Sequence, residues 1–273
     1  MDGASSAGFI SHITGSAKLV ELAMLSCHSP TLLKEVFYYV RFHQAFLSLL
    51  GCSQPSPSPD PLLRLDLSNK IPTVQRLLTL ATILLTFYPS APTRQIPDPT
   101  TISQISNAID ALWLEYTTQS AALSATPMTW NESSSVYYRD AMTALAFMYF
   151  NAVHILLALA STLSQDKLDA RSTTDLIDYH ARILDAAAFL YQKRIGCAYN
   201  RMSLPLYLVA VHGPLAVQRG CARRYFEQWR RGGTMAGISK LALERIEAVE
   251  VELSYYDCCG PGVGLPVRIG VAA

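Results

Sequence analysis

Apolar residues recur along most of the chain at intervals of three and four, the spacing of an amphipathic helix. Ser29-Pro30 reads as a cap followed by proline at the first helical position, ahead of Leu33, Val36, Phe37, Val40 and Leu47. Pro72 to Tyr88 reads as a buried helix. Thr100 or Thr101 is placed to cap the next one. Its apolar face is Ile102, Ile105, Ile109, Leu112, Trp113 and Tyr116, at offsets 0, 3, 7, 10, 11 and 14. Ser172 to Arg194 repeats the pattern through Leu176, Ile183, Leu184, Ala187 and Tyr191, and Asp175 suits the dipole of its first turn. Pro205 and Pro214 bracket the apolar segment LYLVAVHG. A helix from Pro214 to Arg231 is stopped by Gly232-Gly233, and another runs from Ile238 to Leu253. No useful strand alternation is found, except that the Gly-, Pro- and Val-rich end could form a short strand or a loose end. The pattern predicts an all-α protein: one irregular multi-helix domain of about eight to ten helices. It covers residues 1–256, with proline-rich linkers at 51–61 and 89–99 and a tail at 257–273.

Ala141 to Leu163 stands apart. It carries no formal charge and is long enough to cross a bilayer. However, Asp140, Thr143, Asn151, His154, Ser161 and Gln165 recur at helical spacing, with Phe147 and Ala158 in the gaps. They make one narrow polar stripe on an otherwise apolar helix, which a lipid-facing helix would not need. The expectation is a central helix of a soluble bundle with no membrane role. Its stripe, Asn151 and His154 above all, would face an internal or cleft-like cavity.

Composition fits this picture. Half of the 273 residues are hydrophobic, 16% are charged and the formal net charge is +1. Such a chain buries a sizeable core, and it is not the composition of a disordered one. The six cysteines (27, 52, 197, 221, 258 and 259) show no C-x2-C or Cys/His zinc spacing, so neither metal nor cofactor is expected. Met1 to Ser6 lacks a basic n-region and an apolar h-region, so the expectation is a protein that is not secreted, with reduced thiols. Between Arg182 and Arg231 nine Arg or Lys face two acids, a local excess of +7 that reads best as a solvated helix face.

No nucleophile elbow, P-loop, dinucleotide fingerprint, H-E-x-x-H or Asp-rich run is present. Asn151 and His154 lie three apart on one helix face. In a pocket, His154 could act as acid, base or hydrogen-bond donor. His180 falls on the apolar stripe between Leu176 and Ile183, where a structural role is expected.

Four stretches in order carry a family resemblance. They are FISHITGSAKLVEL (Phe9 to Leu22), the Leu33 to Leu47 helix with FYYVRFHQAF, YYRDAMTALAFMYFNAVHILL, and AYNRMSLPLYLVAVHGPLAVQRGCARRYFEQW. Together they resemble the regulatory domain of fungal transcription factors of the zinc binuclear cluster type, over most of residues 9–253. That family reads DNA through an N-terminal six-cysteine cluster with C-x2-C spacing and two zinc ions, which this sequence lacks. The resemblance therefore implies a regulatory-type domain without direct sequence-specific DNA binding, in nucleus or cytoplasm, linked to fungal secondary metabolism. Its partners would be an apolar small molecule, a partner transcription factor, or both, with Thr143, Asn151, His154 and Ser161 as ligand contacts. The other reading is a cofactor-free cyclase or isomerase of fungal natural-product biosynthesis on the same scaffold, with His154, Asn151 and Tyr149 as its catalytic candidates.

Overall fold

The computed structural model describes residues 72–88, 96–132, 135–162, 170–193, 198, 201–232 and 235–259, together with scattered positions between 8 and 51. The Gly51–Pro61 linker beyond Gly51, Gln165, and residues 260–273 of the tail lie outside the described residues.

The fold is all-α. The elements are α1 (Thr73–Leu85), α2 (Pro99–Leu123), a hairpin of β1 (Thr129–Glu132) and β2 (Ser135–Tyr138), α3 (Ala141–Thr162), α4 (Ala170–Lys193), α5 (Ser203–His212), α6 (Ala216–Arg230) and α7 (Ala236–Cys259). The chain divides into two compact units. One comprises Pro57–Tyr88 and Arg94–Ala222. The other comprises Met1–Ser56, Pro89–Thr93 and Arg223–Ala273.

Several element boundaries differ from the sequence expectation. Asp98, not Thr100 or Thr101, caps α2. Its carboxylate accepts from the Thr101 N–H at 2.8 Å and the Thr101 hydroxyl at 2.6 Å, while Pro99 takes the first turn, where its missing N–H costs nothing. Hydrogen bonds from Thr100 and Thr101 hold the Asp98 carboxyl far below its usual range. α4 starts at Ala170, before Ser172. Pro205 is not a boundary but sits in the first turn of α5, where its ring is tolerated. α7 runs on to Cys259, so the start of the 257–273 segment is helical.

The hairpin is the main correction. β1 and β2 pair antiparallel with Trp130 opposite Tyr137 and Thr129 opposite Tyr138. Each strand is only four residues long, too short to show as an alternating pattern. What stabilises it is aromatic pairing: Trp130 and Tyr137 stack at 5.9 Å between centroids. Arg139 then ties the hairpin's end to α2, donating to the Ser120 hydroxyl at 2.8 Å.

α3 is the centre of the first unit. It packs on α1, α2, α4, α5 and β2. It is the one helix among the described residues long and apolar enough to cross a membrane, yet 67% of its most apolar window is buried inside protein. Leu145, Met148, Tyr149, Val153, Ile155 and Leu156 are all essentially inaccessible. Beside them runs an aromatic cluster. Trp113 of α2 meets Phe147 and Phe150 of α3 edge-on at 5.0 and 4.7 Å, and Tyr138 of β2 meets Phe147 and Phe189 at 5.6 and 5.5 Å. Edge-to-face packing of this kind adds about 0.5–1.5 kcal/mol per pair beyond area burial. α1 and α2 are joined by Arg76, whose Nη1 reaches both carboxylate oxygens of Glu115 at 2.7 and 2.8 Å.

In the second unit, Arg223 binds α6 to α7. Its guanidinium meets Glu227 at 3.0 Å, Glu247 at 3.1 Å and Glu250 at 2.6 Å. Phe226, Ile238, Ala242 and Ile246 supply buried apolar side chains.

Candidate functional site

The hydrogen bonds of the polar residues on α3 stay close to home. Asp140 caps the helix. Its carboxylate accepts from the Thr143 N–H at 2.7 Å and the Thr143 hydroxyl at 3.0 Å. Desolvation pushes the Asp140 carboxyl up, but the Thr143 bonds and the neighbouring Arg139 outweigh it and hold it below the ordinary range. The Asn151 amide donates to the Phe147 carbonyl at 2.6 Å, and the Ser161 hydroxyl donates to the Leu157 carbonyl at 2.8 Å, each one turn back. Short polar side chains compete locally for helix carbonyls in this way.

Tyr149, which lies on another face, donates its hydroxyl to the Arg201 carbonyl at 3.0 Å, and burial pushes that phenol far above its ordinary pKa. His154 turns off its own helix. Its half-buried ring stacks on Tyr179 of α4 at 4.9 Å and 12°. Burial lowers its pKa, Asp110 opposes that shift and Arg182 adds to it. Tyr149, Asn151 and His154 are thus directed to three different partners and do not converge on one point.

A second polar group of the same unit went unassembled in the sequence reading. His212 ends α5, and its Nε2 lies 2.5 Å from the Tyr88 hydroxyl just beyond α1, with the two rings edge-on at 5.5 Å. Burial, with His180 adding to it, pushes His212 down to about 4. A helix C-terminus normally favours a cationic histidine, so desolvation here outweighs the dipole.

His180 of α4 is only 1% exposed, and its Nδ1 lies 2.6 Å from the Leu176 carbonyl. A carbonyl only accepts, so Nδ1 carries the proton and Nε2 is a bare lone pair. That Nε2 is buried without a hydrogen-bond partner. Burial lowers the His180 pKa, partly countered by the Leu176 bond. Gln218 of α6 closes the group, donating to the Ile177 carbonyl at 2.9 Å. No sequence signal joins Tyr88 to His212, which are 124 positions apart. The one available hint is a lone histidine closing an otherwise apolar run before Gly213-Pro214.

The basic stretch from Arg182 to Arg231 is divided between the two units. Arg182, Lys193, Arg201 and Arg219 belong to the first unit, and Arg223, Arg224, Arg230 and Arg231 to the second. Lys193 sits 5.7 Å over the Phe189 ring, Arg219 donates to the Gly213 carbonyl at 2.7 Å, and Arg223 is ringed by three glutamates. Among the described residues no three His, Cys, Asp or Glu converge as a metal site would require. Compared with known proteins, the chain matches no family model, no curated protein and no solved structure.

Proposed function

We propose that the chain is a helical regulatory-type module that responds to an apolar small molecule, a partner transcription factor, or both, rather than an enzyme. The observation that carries this reading is the dispersal of the three catalytic candidates. Cofactor-free cyclisation or isomerisation needs an acid, base or donor set focused on one reacting atom. Asn151 is occupied by its own helix, Tyr149 by the Arg201 carbonyl and His154 by the Tyr179 ring. Binding asks for less: an apolar wall with a few polar groups that orient the guest.

His154 and Tyr179 suit that task best. They form a half-buried flat pair between α3 and α4, with the charges of Asp110 and Arg182 near by. Thr143, Asn151 and Ser161 then shape the helix under that pair rather than touch the guest. The resemblance to fungal zinc-cluster regulators, a nuclear location and a role in secondary metabolism belong to the same proposal. In it, DNA would be reached through a partner.

The test is transcription from a reporter when the full chain is joined to a DNA-binding module that lacks an effector of its own. Output several-fold above or below the module alone supports the reading. Equal output from an intact, folded fusion contradicts it.

A further inference from the structure

Tyr88 and His212 join the residue after α1 to the end of α5, and the buried His180 lies in the middle of α4, which packs on α5. We propose that these three residues form a proton-sensitive latch, closed while both imidazoles are neutral and opened, with loosening of α5, when either takes up a proton.

The argument is geometric. With Nδ1–H committed to the Leu176 carbonyl, His180 can gain a proton only at Nε2. That atom is buried and has no acceptor in reach, so the new N–H would be an unmatched donor carrying a full charge in an apolar surround. His212 is part-buried at the end of α5, and its constraint is of another kind. Its Nε2 shares one hydrogen bond with the Tyr88 hydroxyl, and a cation there would be repelled by any charge on His180.

The groups facing the pair do not rescue a cation. From the first turn of α6 comes the Arg219 guanidinium, which donates to the Gly213 and Pro214 carbonyls just past His212 and is itself positive. From α6 comes Gln218, bound to the Ile177 carbonyl. On α3, which packs on both α4 and α5, Tyr149 is turned to the Arg201 carbonyl and His154 to Tyr179. Among the described residues no carboxylate is hydrogen-bonded or ion-paired to either imidazole.

The sign follows. Each histidine binds its proton more readily in the opened chain than in the closed one. The closed form is therefore fully favoured above the ordinary histidine pKa of about 6.5 and loses ground as pH falls below it, by up to about tenfold per pH unit for each group. α5 yields first because it is short, and His212 is its last residue.

Amide hydrogen exchange of the full chain at about pH 7 and about pH 5 tests this. After correction for intrinsic rates, protection over 203–212 should fall at least about tenfold at the lower pH, while Pro99–Leu123 should change little. In the double variant His180→Gln, His212→Gln, neither position can be protonated, and the drop should vanish. Equal protection of α5 at both pH values in the natural chain overturns the proposal. So does a full drop that persists in the double variant. If that variant does not fold, urea unfolding of the natural chain decides: a midpoint unchanged between the two pH values overturns the latch.

Discussion

The α3 stripe and the Tyr88–His212 pair lie in one unit, yet their hydrogen bonds reach differently, and His180, bonded one turn back on its own helix, sides with the stripe. In the stripe, the Thr143, Asn151 and Ser161 bonds end on the same helix or its cap. In the pair, the Tyr88–His212 bond crosses between segments 124 residues apart. A polar side chain that satisfies itself locally costs little to bury and adds little to the tertiary fold. One whose partner comes from elsewhere helps to specify how the helices meet, and losing it leaves that partner stranded. Polar periodicity on a helix therefore marks which residues share a face, not which of them work together.

Substitutions can break or sharpen this contrast. The largest effect is expected at His180→Ala, which opens a void at a 1%-exposed position between packed helices and should cost about 2–4 kcal/mol in denaturant unfolding. Tyr88→Phe removes one hydroxyl and leaves the buried His212 nitrogen without that partner, so a loss of about 1–3 kcal/mol is expected by the same measurement. Asp140→Ala deletes the α3 cap and should cost about 1 kcal/mol. At the foot of the series, Ser161→Ala should stay within about 0.5 kcal/mol, since the hydroxyl only doubles onto a carbonyl of its own helix. If Ser161→Ala proves as costly as Tyr88→Phe, the distinction between local and long-range polar groups fails here.

Much of the scaffold was legible in the sequence. The 3.6-residue period placed α1, α3, α4 and α6 to within a few residues and found α2 and α7, whose C-terminal ends run six or seven residues further, because a buried apolar face is written directly into spacing. The hairpin was not legible, since four-residue strands held by the Trp130–Tyr137 stack carry no period to detect. Nor was Asp98 as a cap, because several Thr, Asp and Pro residues compete at that end and only backbone geometry chooses among them.

For the candidate site the split was sharper. Periodicity located Asn151 and His154 on the same helix, but it could not say that one amide would turn back to Phe147 while the ring reached across to Tyr179. Tyr88 and His212 escaped notice because their meeting depends on how α1 and α5 pack, which is information held by the whole fold and by no local segment.

The claim that His212 is kept neutral by burial beside Tyr88, and His180 by burial with its bond to its own helix, is tested most directly by following the imidazoles through a pH titration by NMR. His180 should be seen as the Nδ1–H tautomer, and both His180 and His212 should remain neutral well below the ordinary histidine midpoint, His212 down to about 4. Midpoints for both near about 6.5, with His180 protonated at Nε2 in its neutral form, would contradict it.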